Sequence, residues 1–498
     1  MREGSKPVGA TLNRLLKLSV PMLIANLSVM IMVAVDTYFV GTMGDPAVEA
    51  DRVRRTEALA GLAFAGPLIW VVSSLFSGII AAINTFAAQI WGEGRSSRLG
   101  LYLGQAVGLA CLFSIPCAVV GLGAPAIFRV MPIEDPGVLE AAVQYARIRF
   151  SGLLFPLCNI AASGLFEGIG RVGTPTAVAL FVNGLNAFLD WVLVRGNLGF
   201  PELGVAGAAW ACVVSAACGS GVYLFLLLRP SFRRPYLAGS FRLPGGRTLA
   251  AFLRVGLPQG ISWFLESALW AAFLLLVNTL GTVVASAQQI AVAILHFAFL
   301  PGMAVSTATT TLVGQAIGER NHQEAQRVFR CSLGVTVGYM GSAGLLFLLA
   351  RDPLLRIFSN DPEVFAVGRV ILLFAAFWQV FDGLYIASVG ALRGAGDTVY
   401  PAVIYFGAGW LFFMPAAYLS TRVFGWGVVG AWGSAATFIA IAGVLAFLRW
   451  AGGKWRSLRI TEEPLPRPAG EPEVGDLQGT AETKESGATS PAEPVQRQ

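Results

Sequence analysis

The chain has 498 residues, 55% of them hydrophobic and only 13% charged, with a mean hydropathy of +0.66. Soluble domains carry about 25% charged residues, so the composition excludes an ordinary soluble globule and points to an integral membrane protein. Two histidines and six cysteines without a CxxC pair argue against a zinc site or a histidine-based hydrolytic centre, and the net charge of +6 reads as membrane topology rather than nucleic-acid binding.

The polar start MREGSKPVGATLNRLLK leads into an apolar run too long for the core of a cleavable signal peptide. Apolar runs then recur along the chain. Twelve helices are expected, centred near Met30, Val71, Leu109, Leu154, Ala187, Ser215, Leu269, Phe297, Tyr339, Phe377, Trp410 and Ile439. Residues 1–14 form an N-terminal segment, 15–228 a first lobe of six helices, 229–246 a basic linker and 247–450 a second lobe of six helices. Residues 451–498 form an acidic tail. From Thr461 onward that tail holds eight acids against three basic residues among many Pro, Gly, Ser and Thr, the composition of a disordered segment. Lys and Arg concentrate on the loops that share a side with both termini, which places both termini in the cytoplasm. The six cysteines fall in or beside apolar runs and read as small buried hydrophobes.

The chain is written twice. Leu16–Pro21 matches Leu253–Pro258, and Gly41-Thr-Met-Gly44 matches Asn278-Thr-Leu-Gly281 at the same offset. A polar insert around DPAVEADRVRR then shifts the offset. After it, Gln89–Glu93 matches Gln315–Glu319, and Gly164–Gly170 with Pro175 matches Gly390–Gly396 with Pro401. Gly204-Val-Ala-Gly-Ala matches Gly427-Val-Val-Gly-Ala. Six spans per copy give both copies one orientation. The expectation is two parallel six-helix lobes related by a pseudo-twofold axis along the membrane normal, as in transporters that rock two lobes about a cavity. GxxxG pairs at Gly104/Gly108 and Gly334/Gly338 read as close helix contacts.

Four acids interrupt apolar spans without a basic neighbour in sequence: Asp36, Asp190, Glu266 and Asp382. A charge at the bilayer centre costs about 2.5–3.5 kcal/mol, so such residues face a bundle interior or a watery cavity. Asn186 and Asp190 share a helix face, and with Asp36 they offer an oxygen-rich nook in the first lobe. Oxygen ligands suit Na+, and a low-dielectric nook also favours a protonated carboxyl, so the residues leave H+ and Na+ both open. By the repeat, Asp36 maps to Phe273 and Glu266 maps back to Val29. Ion coupling is therefore expected in one lobe and a separate acidic patch in the other.

These segments resemble the multidrug and toxic compound extrusion (MATE) family. The pieces are Pro21 with VDTYFVG, AQIWGEGR, GIGRVGTPT and GFPELGVAGAAWA, then GLPQGISWFLES, VGQAIGER, FDGLYIASVGALRGAGDT and GVVGAW, across residues 10–450. The resemblance implies a twelve-helix antiporter of the plasma membrane that exports cationic or amphipathic small molecules in exchange for H+ or Na+, without a cofactor. Its coupling site falls on Asp36, Asn186 and Asp190. The family often has Thr at the position of Cys212, and the missing hydroxyl tilts the reading toward H+. The acids of another branch fall on Glu266 and Asp382. Trp378 replaces a Tyr one turn before the latter, and Gln289 follows Gln288 in an AQQI element. Partners are expected to be drug-like solutes and the bilayer, with no nucleic acid and a monomeric chain. The rival reading is a lipid-linked saccharide flippase, which calls for a cationic cavity. The absence of GxxxxGK[ST] argues against an ATP-driven exporter.

Overall fold

A computed structural model describes residues 7–45, 47–131, 133–236, 246–458 and 460. The acidic tail from Thr461 and the middle of the central linker lie outside the described residues. The first half comprises α1 (Val8–Gly41), α2 (Glu49–Ala81), α3 (Ile83–Gly92), α4 (Leu99–Leu122), α5 (Pro136–Ser151), α6 (Leu154–Gly168), α7 (Gly173–Leu193) and α8 (Val205–Leu228). The second comprises α9 (Gly246–Asn278), α10 (Thr282–Gly318), α11 (His322–Leu349), α12 (Pro362–Ala395), α13 (Val399–Val423) and α14 (Gly427–Ala451). Eleven helices among the described residues are long and apolar enough to cross a membrane. A twelfth span is α5 plus α6, which meet at 48°. The chain is a multi-pass membrane protein.

Local chemistry sets the helix ends. Asp135 caps the first turn of α5 by accepting the Gly137 N–H at 2.8 Å, and Asp361 does the same for Glu363 at α12. The bend between α5 and α6 falls beside the expected centre, Leu154. Gly152 lies there against the Val213 side chain of α8, leaving no room for a Cβ. α13 is partly π-helical, over Tyr405–Phe413 and Leu419–Val423. Pro415 between these stretches cannot donate a backbone N–H, which disturbs the ordinary ladder.

The repeat is visible in the backbone. α6 and α12 end in matching left-handed glycines, Gly170 (φ 81°) and Gly396 (φ 85°). α3 and α10 end in the same turn, with Gly94 (φ 71°) in the first copy and Arg320 (φ 57°) in the second. The same paired bonds close them: Gly94 and Arg95 N–H reach back to Trp91 and Ile90, and Arg320 and Asn321 N–H reach back to Ile317 and Ala316.

A symmetric seam joins the two halves at their basic end. The Gln89 side chain donates to the Gly394 carbonyl at 2.9 Å, and its repeat partner Gln315 donates to the Gly168 carbonyl at 2.8 Å. A Cβ on Gly92 would fall on the Gln315 carbonyl, and one on Gly318 on the Gln89 carbonyl. Arg14 of α1 donates to the Gln315 side chain at 2.6 Å. Separate apolar cores fill each half, around Phe86, Phe150 and Leu157 and around Phe273, Phe413 and Phe438. A third, with Leu15, Val313 and Phe329, underlies the seam.

Four expectations change. Most of the polar insert is helix: α2 begins at Glu49, where acids suit the positive end of the helix dipole, and Asp51 accepts the Asp45 N–H at 2.9 Å. The start of the basic linker is a short helix, Pro230–Tyr236, anchored by Phe232 on Phe166 (4.9 Å between ring centres) and by Tyr236 accepting from Arg171 at 3.2 Å. Gly334 and Gly338 are no helix contact; both are exposed with open space above them. Cys111 and Cys218 are exposed rather than buried.

Candidate functional site

α1, α7 and α8 bring Asp36, Asn186, Asp190 and Cys212 together although up to 176 positions separate them. All four are buried, Asn186 and Asp190 completely. The Cys212 thiol donates to Asp36 Oδ2 at 3.3 Å and lies 3.8 Å from Asn186 Oδ1. Asn186 Nδ2 donates to Asp190 Oδ2 at 3.2 Å across one helical turn. The other oxygen of each acid, Asp36 Oδ1 and Asp190 Oδ1, is buried with no hydrogen-bond partner. The two carboxyl groups are close enough to act on each other electrostatically. Two bare carboxylates at that separation in a dry site repel, so the pair calls for a proton or a cation between them.

One member of this neighbourhood stands out in sequence only as a basic residue at the start of the fourth span. Arg149, near the end of α5, acts electrostatically on Asp36, Cys212 and Tyr145, and its guanidinium lies 6.0 Å from the Tyr145 ring centre. Asp36 thus has an opposite charge near it after all, supplied by a helix remote in sequence. Arg147, two positions earlier, is exposed. The close approach of Gly152 to Val213 brings this end of α5 onto α8 beside Cys212. Nothing in the sequence links Arg149 to Asp36, because the link depends on how α5 and α8 pack.

The second lobe also gathers its acids, in a different setting. Glu266 of α9 and Asp382 of α12 interact with one another, Glu266 pairs with the Tyr405 hydroxyl, and Asp382 with the Trp378 side chain. Trp378 stacks on Trp270 at 5.0 Å and approaches Trp432 at 6.0 Å. Arg393, at the end of α12, reaches Glu266 electrostatically and lies 5.7 Å over the Trp263 ring. Tyr405 was not legible in the sequence; it opens the π-helical stretch, a feature common at functional sites. Gln289 does not join this patch. It is exposed, and its neighbour Gln288 is the buried one, donating to Asn278 Oδ1 at 3.0 Å.

The MatE family description matches residues 21–192 and 258–419. The chain is 30% identical over 415 residues to the multidrug resistance protein NorM of Aliivibrio fischeri, covering 82% of this chain and 86% of that one. It is 26% identical over 447 residues to a probable multidrug resistance protein NorM of Thermotoga maritima, covering 90% and 93%. In fold it is similar to a MOP superfamily transporter from Pyrococcus furiosus, with TM-score 0.79 and 19% identity over 92% of this chain and 100% of that one. It is also similar to a multidrug resistance MATE family transporter in an outward-facing conformation, with TM-score 0.77 and 19% identity over 91% and 99%.

Proposed function

Because the chain belongs to the MatE family of membrane transport proteins, we propose that it is a secondary active multidrug efflux antiporter with H+ as the coupling ion. The observation that carries this reading is the buried pair of acids with one unpartnered oxygen each. Such a pair gains from a proton in one state of the transporter and can release it in another. Cys212 supplies a thiol where a harder oxygen would favour Na+, and Arg149 adds fixed positive charge nearby. The thiol supports a proton over a metal cation, while the arginine limits how much added positive charge of either kind the nook holds.

The seam fits alternating access. With both termini cytoplasmic, the clasped basic end is the inner face. Proton uptake at Asp36 and Asp190 from outside releases the exported solute. Opening of the seam then exposes the nook inward, where the proton leaves. Glu266, Asp382 and the Trp270–Trp378 stack offer a lipophilic cation negative charge and aromatic faces. A flippase would need a cationic cavity, whereas the grouped intramembrane charges here are mainly carboxylates.

The test is solute efflux from proteoliposomes with pH and Na+ gradients imposed in turn. Wild type should respond to the pH gradient alone, and Asp36→Asn should abolish that response while leaving solute binding measurable. A response to Na+ alone would replace the ion. Equal flux without any gradient would make the protein a facilitator.

A further inference from the structure

One open groove lies in neither acidic site. It holds about 880 Å³ at the basic end of the bundle, between the first turns of α1 and the start of α11, with the Lys454–Ser457 turn closing one side. Val8 and Leu12 come from the start of α1, Arg327, Arg330 and Gly334 from α11 of the second half, and Arg456 from the turn that follows α14. The groove therefore straddles the seam.

Its charge and shape are polarised along α11. Arg327 is held by Glu324 at 2.7 Å, and Glu324 also accepts the Thr11 hydroxyl of α1 at 3.0 Å. Arg330 and Arg456 are exposed and have no acidic partner within ion-pair distance among the described residues. One turn further into the apolar part of α11 the floor is bare. Gly334 lines the groove, and Gly338, about 6 Å further along the helix axis and beyond the groove itself, also faces open space. A groove with guanidinium groups at its mouth and a smooth apolar floor running into the bilayer matches one class of ligand. A soluble anion would leave the floor uncovered. A cationic solute would meet the arginines.

We propose that this groove binds an anionic phospholipid, with the phosphate between Arg330 and Arg456 and an acyl chain along Gly334 and Gly338. Basic pockets between membrane helices hold such headgroups by charge, and the glycine floor supplies the apolar contact that a loop arginine lacks. Because its walls belong to both lobes, the bound lipid fastens the seam beside the Thr11–Glu324 bond. The GxxxG pair of α11 thereby acquires a use as a lipid track.

Native mass spectrometry of the full chain, delipidated and offered phosphatidylglycerol or phosphatidylcholine, tests this. Wild type should retain phosphatidylglycerol about tenfold more than phosphatidylcholine, the scale expected for one or two basic contacts to an anionic lipid. The surface double variant R330Q/R456Q should lose that preference. Gly334→Leu, which fills open space and leaves the arginines intact, should lower retention of both lipids. Equal retention of the two lipids by wild type, or an unchanged preference in R330Q/R456Q, would overturn the proposal. So would an absence of lipid selectivity accompanied by cross-linking of the segment after Ile460 to α11, which would name that segment as the occupant.

Discussion

The nook of the first lobe and the matching place in the second differ in almost every side chain. Asp36 corresponds to Phe273, Asn186 to Phe412, Asp190 to Ala416 and Cys212 to Ala435. Where one lobe buries two acids with unpartnered oxygens, the other packs Phe273 on Phe413 at 5.1 Å and Phe413 on Phe438 at 5.2 Å. The acids of the second lobe lie elsewhere, against tryptophans and a tyrosine. Yet the seam glutamines and the helix-ending turns repeat in both copies. Symmetry is kept where the two lobes close on each other, and lost where each lobe buries its acids.

Four measurements can break or sharpen this contrast. Removing the acid of the nook should cost most. One charge moved across 100 mV is worth about 2.3 kcal/mol, so Asp190→Asn should lower gradient-driven accumulation about fiftyfold. Steady-state accumulation in proteoliposomes gives the number, and a fall under threefold would remove Asp190 from coupling. Replacing the second-lobe acids, as Glu266→Gln with Asp382→Asn, should instead weaken solute affinity about tenfold, the scale of a lost charge and cation–π contact. The gradient response itself should survive. Loss of that response would place coupling in both lobes.

Smaller effects test the shared frame. Gly92→Ala and Gly318→Ala each press a methyl group onto the facing carbonyl, at about 1–3 kcal/mol of overpacking. Spin-label distances across the seam should lengthen by similar amounts in both, because the two contacts are repeat partners. Strongly unequal shifts would mean that the seam is not symmetric in solution. The smallest effect is Arg320→Gly. Arg320 holds a left-handed backbone where the first copy has Gly94, and relieving it should stabilise the protein by about 1 kcal/mol, read as a raised thermal midpoint in detergent. No gain would show that the turn is held by its surroundings.

Composition and hydropathy settled much of this protein in advance, because a bilayer admits few backbone solutions. An apolar run of sufficient length must be a helix, and an even number of spans per repeat imposes parallel lobes. Asp36, Asp190, Glu266 and Asp382 stood out for the same reason: an acid in hydrocarbon is too costly to be incidental. What the chain alone left open depended on which helix faces touch. The bend at Gly152 and the packing of α5 on α8 place Arg149 near Asp36. The π-helical turns of α13 set Tyr405 on Glu266, and Gln289 faces outward while Gln288 is buried. Gly334 of α11 lines a groove rather than a helix contact. Spacing along one helix fixes which side chains share a face, but only the packing of all the helices decides what that face meets.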